Sequence, residues 1–254
     1  MIWQAEALWE AVAPLLPGFT VEILPELDST NTELMRRARV GPTEPVLLVA
    51  ERQTAGRGRL GRSWQSAAGD SLTFSLGLPL APADWSGLSL AVGVSLAENL
   101  HPAVRLKWPN DLWVGDRKLG GILIETASFG GAAGARRQAV IGVGLNIATR
   151  DAAGLSTPPA ALSDLLADMD APGVLQRIVP PLVRDVLRFQ DAGFAAFHAR
   201  FDGRDALIGR EVTLSDGTTG TARGVARDGS LLVHTAAGPH AVTSSEVSVR
   251  PAPR

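Results

Sequence analysis

Gln53-Thr54-Ala55-Gly56-Arg57-Gly58-Arg59-Leu60-Gly61-Arg62-Ser63-Trp64 spells G-x-G-x-x-G over residues 56–61, and the segment downstream of it settles the architecture. In a dinucleotide-binding fold that pattern turns from a strand straight into a helix whose N-terminus holds a pyrophosphate. Here Gln65 to Asp70 is turn-like, and Ser71-Leu72-Thr73-Phe74-Ser75-Leu76 alternates polar and apolar as a strand does. No helix opens at the glycines, so the dinucleotide reading fails. Upstream, the apolar run Val46–Ala50 predicts a buried strand that delivers the loop to a strand end, a usual place for a site. Arg57, Arg59 and Arg62 add side-chain cations to the backbone N–H groups, which suits a phosphate or a carboxylate.

Such a site has to be local. The 254 residues carry a net charge of −2 and a pI near 6.1, which argues against binding nucleic acid or a membrane surface through an overall basic field. There is no cysteine, so disulfides and thiolate chemistry are excluded. The N-terminus lacks a basic segment followed by an apolar run, and no stretch reaches the ~18 apolar residues of a membrane helix. A soluble, cytoplasmic protein is expected.

The rest of the chain reads as a mixed α/β sheet with helices. Gln4–Leu16 is helical in spacing and ends at Pro17-Gly18, and Phe19–Leu24 is a strand. Thr30 and Glu33 match a capping box for a helix to about Arg39, whose N-terminus offers Ser29, Thr30 and Asn31 to a polar ligand. Residues 85–100 form an amphipathic helix, with Leu88, Val92, Leu96 and Leu100 as its core stripe. Arg105–Val114 reads as strand, Pro-Asn-Asp break, strand; Gly115-Asp116 is a hairpin turn, and Lys118–Glu125 the return strand. Gly130–Ala135 suits a hairpin tip. Val140–Ile147 is a strand thinned by Gly142 and Gly144, which points to close approach of a ligand or backbone. Residues 160–201 are helical, with an interruption expected at Pro180-Pro181. From Leu207, short β runs bury Val212, Leu214, Val225, Leu231, Val233, Val242, Val247 and Val249, as in a small all-β barrel. Two domains are expected, residues 1–205 and 206–254.

Three constellations sit at strand ends: the arginine loop, Lys107-Trp108-Pro109-Asn110-Asp111, and Lys118. Each alone fits a solvated loop, a well-made turn or a surface charge. Together they offer cations for phosphates, a carboxylate for a divalent metal, and small backbone for close approach. That set suits nucleotidyl transfer, where catalysis is mostly positioning and charge stabilisation. His101, His198, His234 and His240 lie outside these motifs.

Asp28-Ser-Thr-Asn31, Gln53 to Trp64, Lys107-Trp-Pro-Asn-Asp111, Lys118-Leu-Gly-Gly-Ile-Leu-Ile-Glu125 and Gly142-Val-Gly-Leu-Asn146 resemble, in order, the motifs of biotin protein ligases. The resemblance implies a catalytic domain like that of class II aminoacyl-tRNA synthetases, followed by an SH3-like C-terminal β domain. About 20 residues precede the first strand, too few for the winged-helix DNA-binding module of some members, so specific DNA binding is not expected. The implied reaction joins biotin to ATP as biotinyl-5′-AMP, with Mg²⁺ assisting, then passes biotin to a lysine of a biotin carboxyl carrier protein. By resemblance, Ser29, Thr30, Asn31, Gln53, Arg57, Gly58, Arg59 and Lys118 bind biotin. Arg57, Arg59, Arg62, Trp64, Lys118 and Asn146 bind ATP, with Trp64 stacking on adenine. Arg59, Lys118, Lys107 and Asp111 are the catalytic set, Asp111 doubling as a metal ligand. The glycine-rich loop is expected to be mobile without ligand and to close over it. A homodimer is implied by analogy alone. Two other readings compete: a lipoate-attaching enzyme, for whose dithiolane the Ser-Thr-Asn cluster and Gln53 suit less well, and a nucleic-acid binder using its Arg/Gly loop.

Overall fold

Apolar alternation and helix caps set the elements of the computed structural model, which describes residues 1–41, 43–128, 136–151, 157–243 and 249–252. Helix α1 (Ala5–Val12) buries Leu8 and Val12, and β1 (Thr20–Leu27) comes next. Helix α2 (Thr30–Val40) starts one residue earlier than the capping-box reading requires: Ser29 is the cap, its Oγ accepting from Thr32 N at 3.3 Å. Glu33 is drawn instead to Arg36 and Arg37, and a charged pair with arginine outcompetes a return bond to the backbone.

Strand β2 (Val46–Gln53) lies parallel to β1, and β3 (Ser71–Leu80) antiparallel to β2. After α3 (Leu88–Leu100) come β4 (Arg105–Lys107), β5 (Asp111–Val114), β6 (Arg117–Ala127) and β7 (Arg137–Asn146). They complete a seven-stranded mixed sheet of order β1-β2-β3-β7-β6-β5-β4. Leu88, Val92, Leu96 and Leu100 of α3 are all buried, as their spacing requires.

Helix α4 (Ala171–Ala192) differs from expectation at both ends and in the middle. Asp170 caps it through Gly173 N at 2.9 Å, and Gly193, with φ 62°, ends it. Pro180 and Pro181 lie inside it without interrupting it. Each removes an N–H and crowds the preceding turn, but Ile178, Val179, Leu182 and Val183 around them are fully buried, and packing against α3 holds the helix together. A short α5 (His198–Asp202) comes after it.

Strands β8 (Glu211–Leu214), β9 (Thr219–Val225), β10 (Leu231–Thr235), β11 (Gly238–Val242) and β12 (Val249–Pro251) form an antiparallel sheet of order β11-β10-β9-β8-β12. Every expected apolar position there is buried except Val247, which, like Gly130–Ala135, lies outside the described residues. The two sheets share one continuous core. At the joint, Leu106 N donates to Arg204 O (2.8 Å), Ala206 N to Leu106 O (2.9 Å), and the buried Trp108 Nε1 to Gly229 O (3.0 Å). Among the described residues, no helix is long and apolar enough to cross a membrane.

Candidate active site

The arginine loop folds back on itself after β2. Trp64 N donates to Gly56 O (2.8 Å) and Gly58 N to Arg62 O (2.7 Å), with a single 3₁₀ turn at Arg59–Gly61. Leu60 at its tip has φ 56°, a left-handed conformation that costs a non-glycine residue about 1–2 kcal/mol. The loop forms one wall of a cavity of about 490 Å³, whose floor is β6 and β7. Among the described residues, eight Lys or Arg and two Asp line it, so the local field is positive in a chain of net charge −2. Every residue the sequence nominates lies in this wall except Asn146.

One end of the cavity is neutral and densely hydrogen-bonded. Gln53 Oε1 accepts from Thr30 N (2.7 Å) and Thr30 Oγ1 (3.2 Å), tying the end of β2 to the start of α2. Ser75 Oγ, 2.7 Å from Thr30 Oγ1, donates to Asn31 Oδ1 at 2.6 Å. Asn31 Nδ2 donates to Leu123 O (3.1 Å) and Glu125 Oε2 (2.9 Å), so both its amide hydrogens are spent within the protein. Ser29, with its oxygen capping α2, keeps its hydroxyl hydrogen for a ligand.

The other end is built around Asp111. Lys118 Nζ lies 2.7 Å from Asp111 Oδ1, and Lys107 Nζ 3.8 Å from Oδ2. Hairpin pairing places Lys107 opposite Asp111 across β4–β5, while Lys118 pairs with Trp113 across β5–β6 and reaches Asp111 with its side chain. Burial pushes the Lys107 ammonium down from its ordinary range; Asp111 opposes this, while Lys118, Arg62 and Arg250 add to it. Burial likewise lowers Arg59, with Asp111 opposing and Arg62 adding. These directions describe a crowded cationic nest that an anion would relieve.

The backbone of Lys118 is fixed on both sides. Its N–H donates to Pro158 O (2.8 Å), and its carbonyl accepts from Ala160 N (2.8 Å) and from Asn146 Nδ2 (3.1 Å). Asn146 Nδ2 also donates to Ala160 O (2.9 Å), and the side chain is buried behind the cavity rather than in its wall. Trp64 too is placed differently from a free stacking platform. Its indole lies on Gly144, where a Cβ would stand 2.5 Å from Cε2, and Arg150 sits 5.3 Å from the ring centre. Gly142 is required in the same way, since a Cβ there would collide with Asn31 Oδ1. The close approach inferred from these two glycines is therefore made by the protein's own Asn31 and Trp64.

Residues 24–146 match the biotin/lipoate A/B protein ligase family, and residues 207–250 the biotin protein ligase C-terminal domain. The bifunctional ligase/repressor BirA of Escherichia coli (strain K12) is 36% identical over 230 residues, covering 86% of this chain and 70% of its own length. The chain belongs to the biotin protein ligase family. The biotin--[acetyl-CoA-carboxylase] ligase of Mycobacterium tuberculosis is 31% identical over 220 residues, covering 82% of this chain and 79% of that one. Among solved structures, the biotin protein ligase of Aquifex aeolicus in complex with biotin and ATP has a TM-score of 0.77 and 29% identity, covering 91% of this chain and 99% of that one.

Within this ligase-family fold, sequence reasoning missed Arg150, Arg210 and Arg250, which line the same cavity. Arg210 immediately precedes β8 and Arg250 lies on β12, and no local pattern ties them to motifs more than 60 residues away. Arg150, four residues past Asn146, had a faint signal in its place just beyond a motif. Burial lowers its guanidinium, which donates to Gln65 O and lies over Trp64.

Proposed function

We propose that the chain is an ATP-dependent biotin protein ligase, which activates biotin as biotinyl-5′-AMP and then biotinylates a lysine of a carboxylase's carrier domain. The observation that carries this reading is a single cavity with a neutral hydrogen-bonding end at α2 and a cationic end at Asp111. A ureido ring, with two donors and one strong acceptor, suits Ser29, Thr30 and Gln53. The valerate carboxylate then points toward Arg59 and Lys118, where the α-phosphate must also lie.

In the first step the carboxylate oxygen attacks the α-phosphorus and pyrophosphate leaves. Two anions approach each other, so Arg59, Arg62, Lys107 and Lys118 supply the charge that lowers the barrier. In the second step the carrier amine attacks the anhydride carbonyl and AMP leaves. That amine must first lose a proton, and Asp111 is the carboxylate placed to receive or relay it. Among the described residues no three His, Asp, Glu or Cys converge on a metal position. Mg²⁺ would therefore ride on the ATP phosphates, with Asp111 as its protein carboxylate, and would add charge neutralisation there. Residues 1–205 bind the small substrates, and residues 206–254 complete the wall. Cytoplasmic placement and a homodimer belong to the same reading.

The match to the C-terminal domain of biotin ligases favours biotin over lipoate. Exchange of labelled pyrophosphate into ATP tests the choice. Exchange is expected with biotin; exchange with lipoate alone, or with neither, overturns it.

A further inference from the structure

Glu125, on the floor strand β6, joins two parts of the site that are far apart in sequence. Its carboxylate accepts from Arg57 Nη2 at 2.8 and 3.1 Å, and from Asn31 Nδ2 at 2.9 Å. Arg57 belongs to the arginine loop, and Asn31 to the neutral end of the cavity. We propose that Glu125 is a positioning residue: by clasping Arg57 it latches the arginine loop over the biotin end of the cavity. The inference rests on the ligase reading for its substrate, though the latch itself does not.

Three observations carry it. Asn31 cannot yield, because it is 4% exposed, held by Leu123 O and Ser75, and wedged against Gly142. Glu125 is thus oriented from the rigid side, and the loop is the part that moves. Second, the Arg57 guanidinium meets Glu125, whereas Lys107 and Lys118 meet Asp111 at the other end of the cavity. Its charge is spent on Glu125. Third, the pair is partly exposed, at 45% and 25%, so it is screened and weak enough to open for substrate entry and product release. Arg57 then contributes through its carboxylate partner and the loop backbone, leaving Arg59, Arg62 and Lys118 for the phosphates.

The test uses Glu125→Gln, Arg57→Gln and Arg57→Lys in the full chain. Glu125→Gln keeps an acceptor for Asn31 and nearly the same volume, so an unchanged melting temperature separates loss of the latch from loss of the fold. In ligand-free protein, hydrogen exchange of residues 55–63 is expected to quicken in Glu125→Gln and Arg57→Gln and to recover in part in Arg57→Lys, which keeps a cation for the Glu125 carboxylate. In pyrophosphate exchange, KM for biotin is expected to rise about tenfold while KM for ATP moves less than about twofold, since only the biotin end loses its cover. Unchanged loop exchange in Glu125→Gln overturns the latch. So does an equal rise in both KM values for Arg57→Gln, which would place that guanidinium on the phosphates. Because the hydrogen-exchange measurement needs no substrate, a loosened loop without biotin-dependent activity in the wild type would sink the ligase reading alone.

Discussion

Lys118 is held at backbone level by Pro158, Ala160 and Asn146, and its ammonium lies 2.7 Å from Asp111. Pre-organisation of this kind lets a cation stabilise developing charge without reorganising. Lys118→Met should therefore lower biotin-dependent pyrophosphate exchange by about 10²–10³-fold with little change in melting temperature. Asn146, which touches Lys118 but not the cavity, calls for a different outcome. Asn146→Ala removes the side-chain donor to the Ala160 carbonyl, while Lys118 O keeps Ala160 N, so about 1–3 kcal/mol of stability should be lost in urea titrations. In the same variant kcat should fall with KM for biotin unchanged, because the neutral end is untouched. Among single residues, the meeting of Lys107, Asp111 and Lys118 was legible in the sequence, since the three sit close along the chain. What surrounds Asn31 and Asn146 was not legible, because hydrogen bonds to Glu125, Leu123 and Ala160 come from segments distant in sequence.

Among elements, the arginine loop is fastened at both stems. Arg57 meets Glu125 at one, and at the other Arg150 lies over Trp64 while its Nη1 donates to Gln65 O at 3.3 Å. Adenine can stack on Trp64 only if the Arg150 guanidinium withdraws from that ring. Arg150→Ala should accordingly loosen residues 62–66 in hydrogen exchange and raise the rate at which free biotinyl-adenylate escapes, with Arg150→Lys restoring part of both. Unaltered escape in Arg150→Ala would show that the contact is ornamental. Strand alternation predicted the sheet elements and helical spacing predicted α3, because a buried face imposes its period on the sequence. The α4 misreading has the opposite cause: local proline chemistry predicts a break, and burial against α3 overrides it.

For the whole molecule, the joint between the two sheets contains a misfit. Asp205 is 8% exposed, its Oδ1 accepts from Leu207 N at 2.8 Å, and its Oδ2 has no partner. Burial pushes its pKa up to about 6, against the opposing bond from Leu207. A carboxyl group raised in this way contributes stability below its unfolded value of 3.8, and that contribution is lost as pH rises through about 6. Asp205→Asn should remove this dependence, gaining on the order of 2 kcal/mol relative to wild type between pH 4 and pH 7.5 in urea unfolding. A difference independent of pH would refute the assignment. The motifs, the strand and helix periods and the cationic character of the loop are all encoded locally, each in residues near one another along the chain. Folding in three dimensions was needed to bring Arg210, just before β8, and Arg250 of β12 into the cavity, to fill the space left by Gly144 and Gly142 with Trp64 and Asn31, and to hold the loop with Glu125 and Arg150. Those contacts arise from strand order and register, which bring residues together at separations no local pattern encodes.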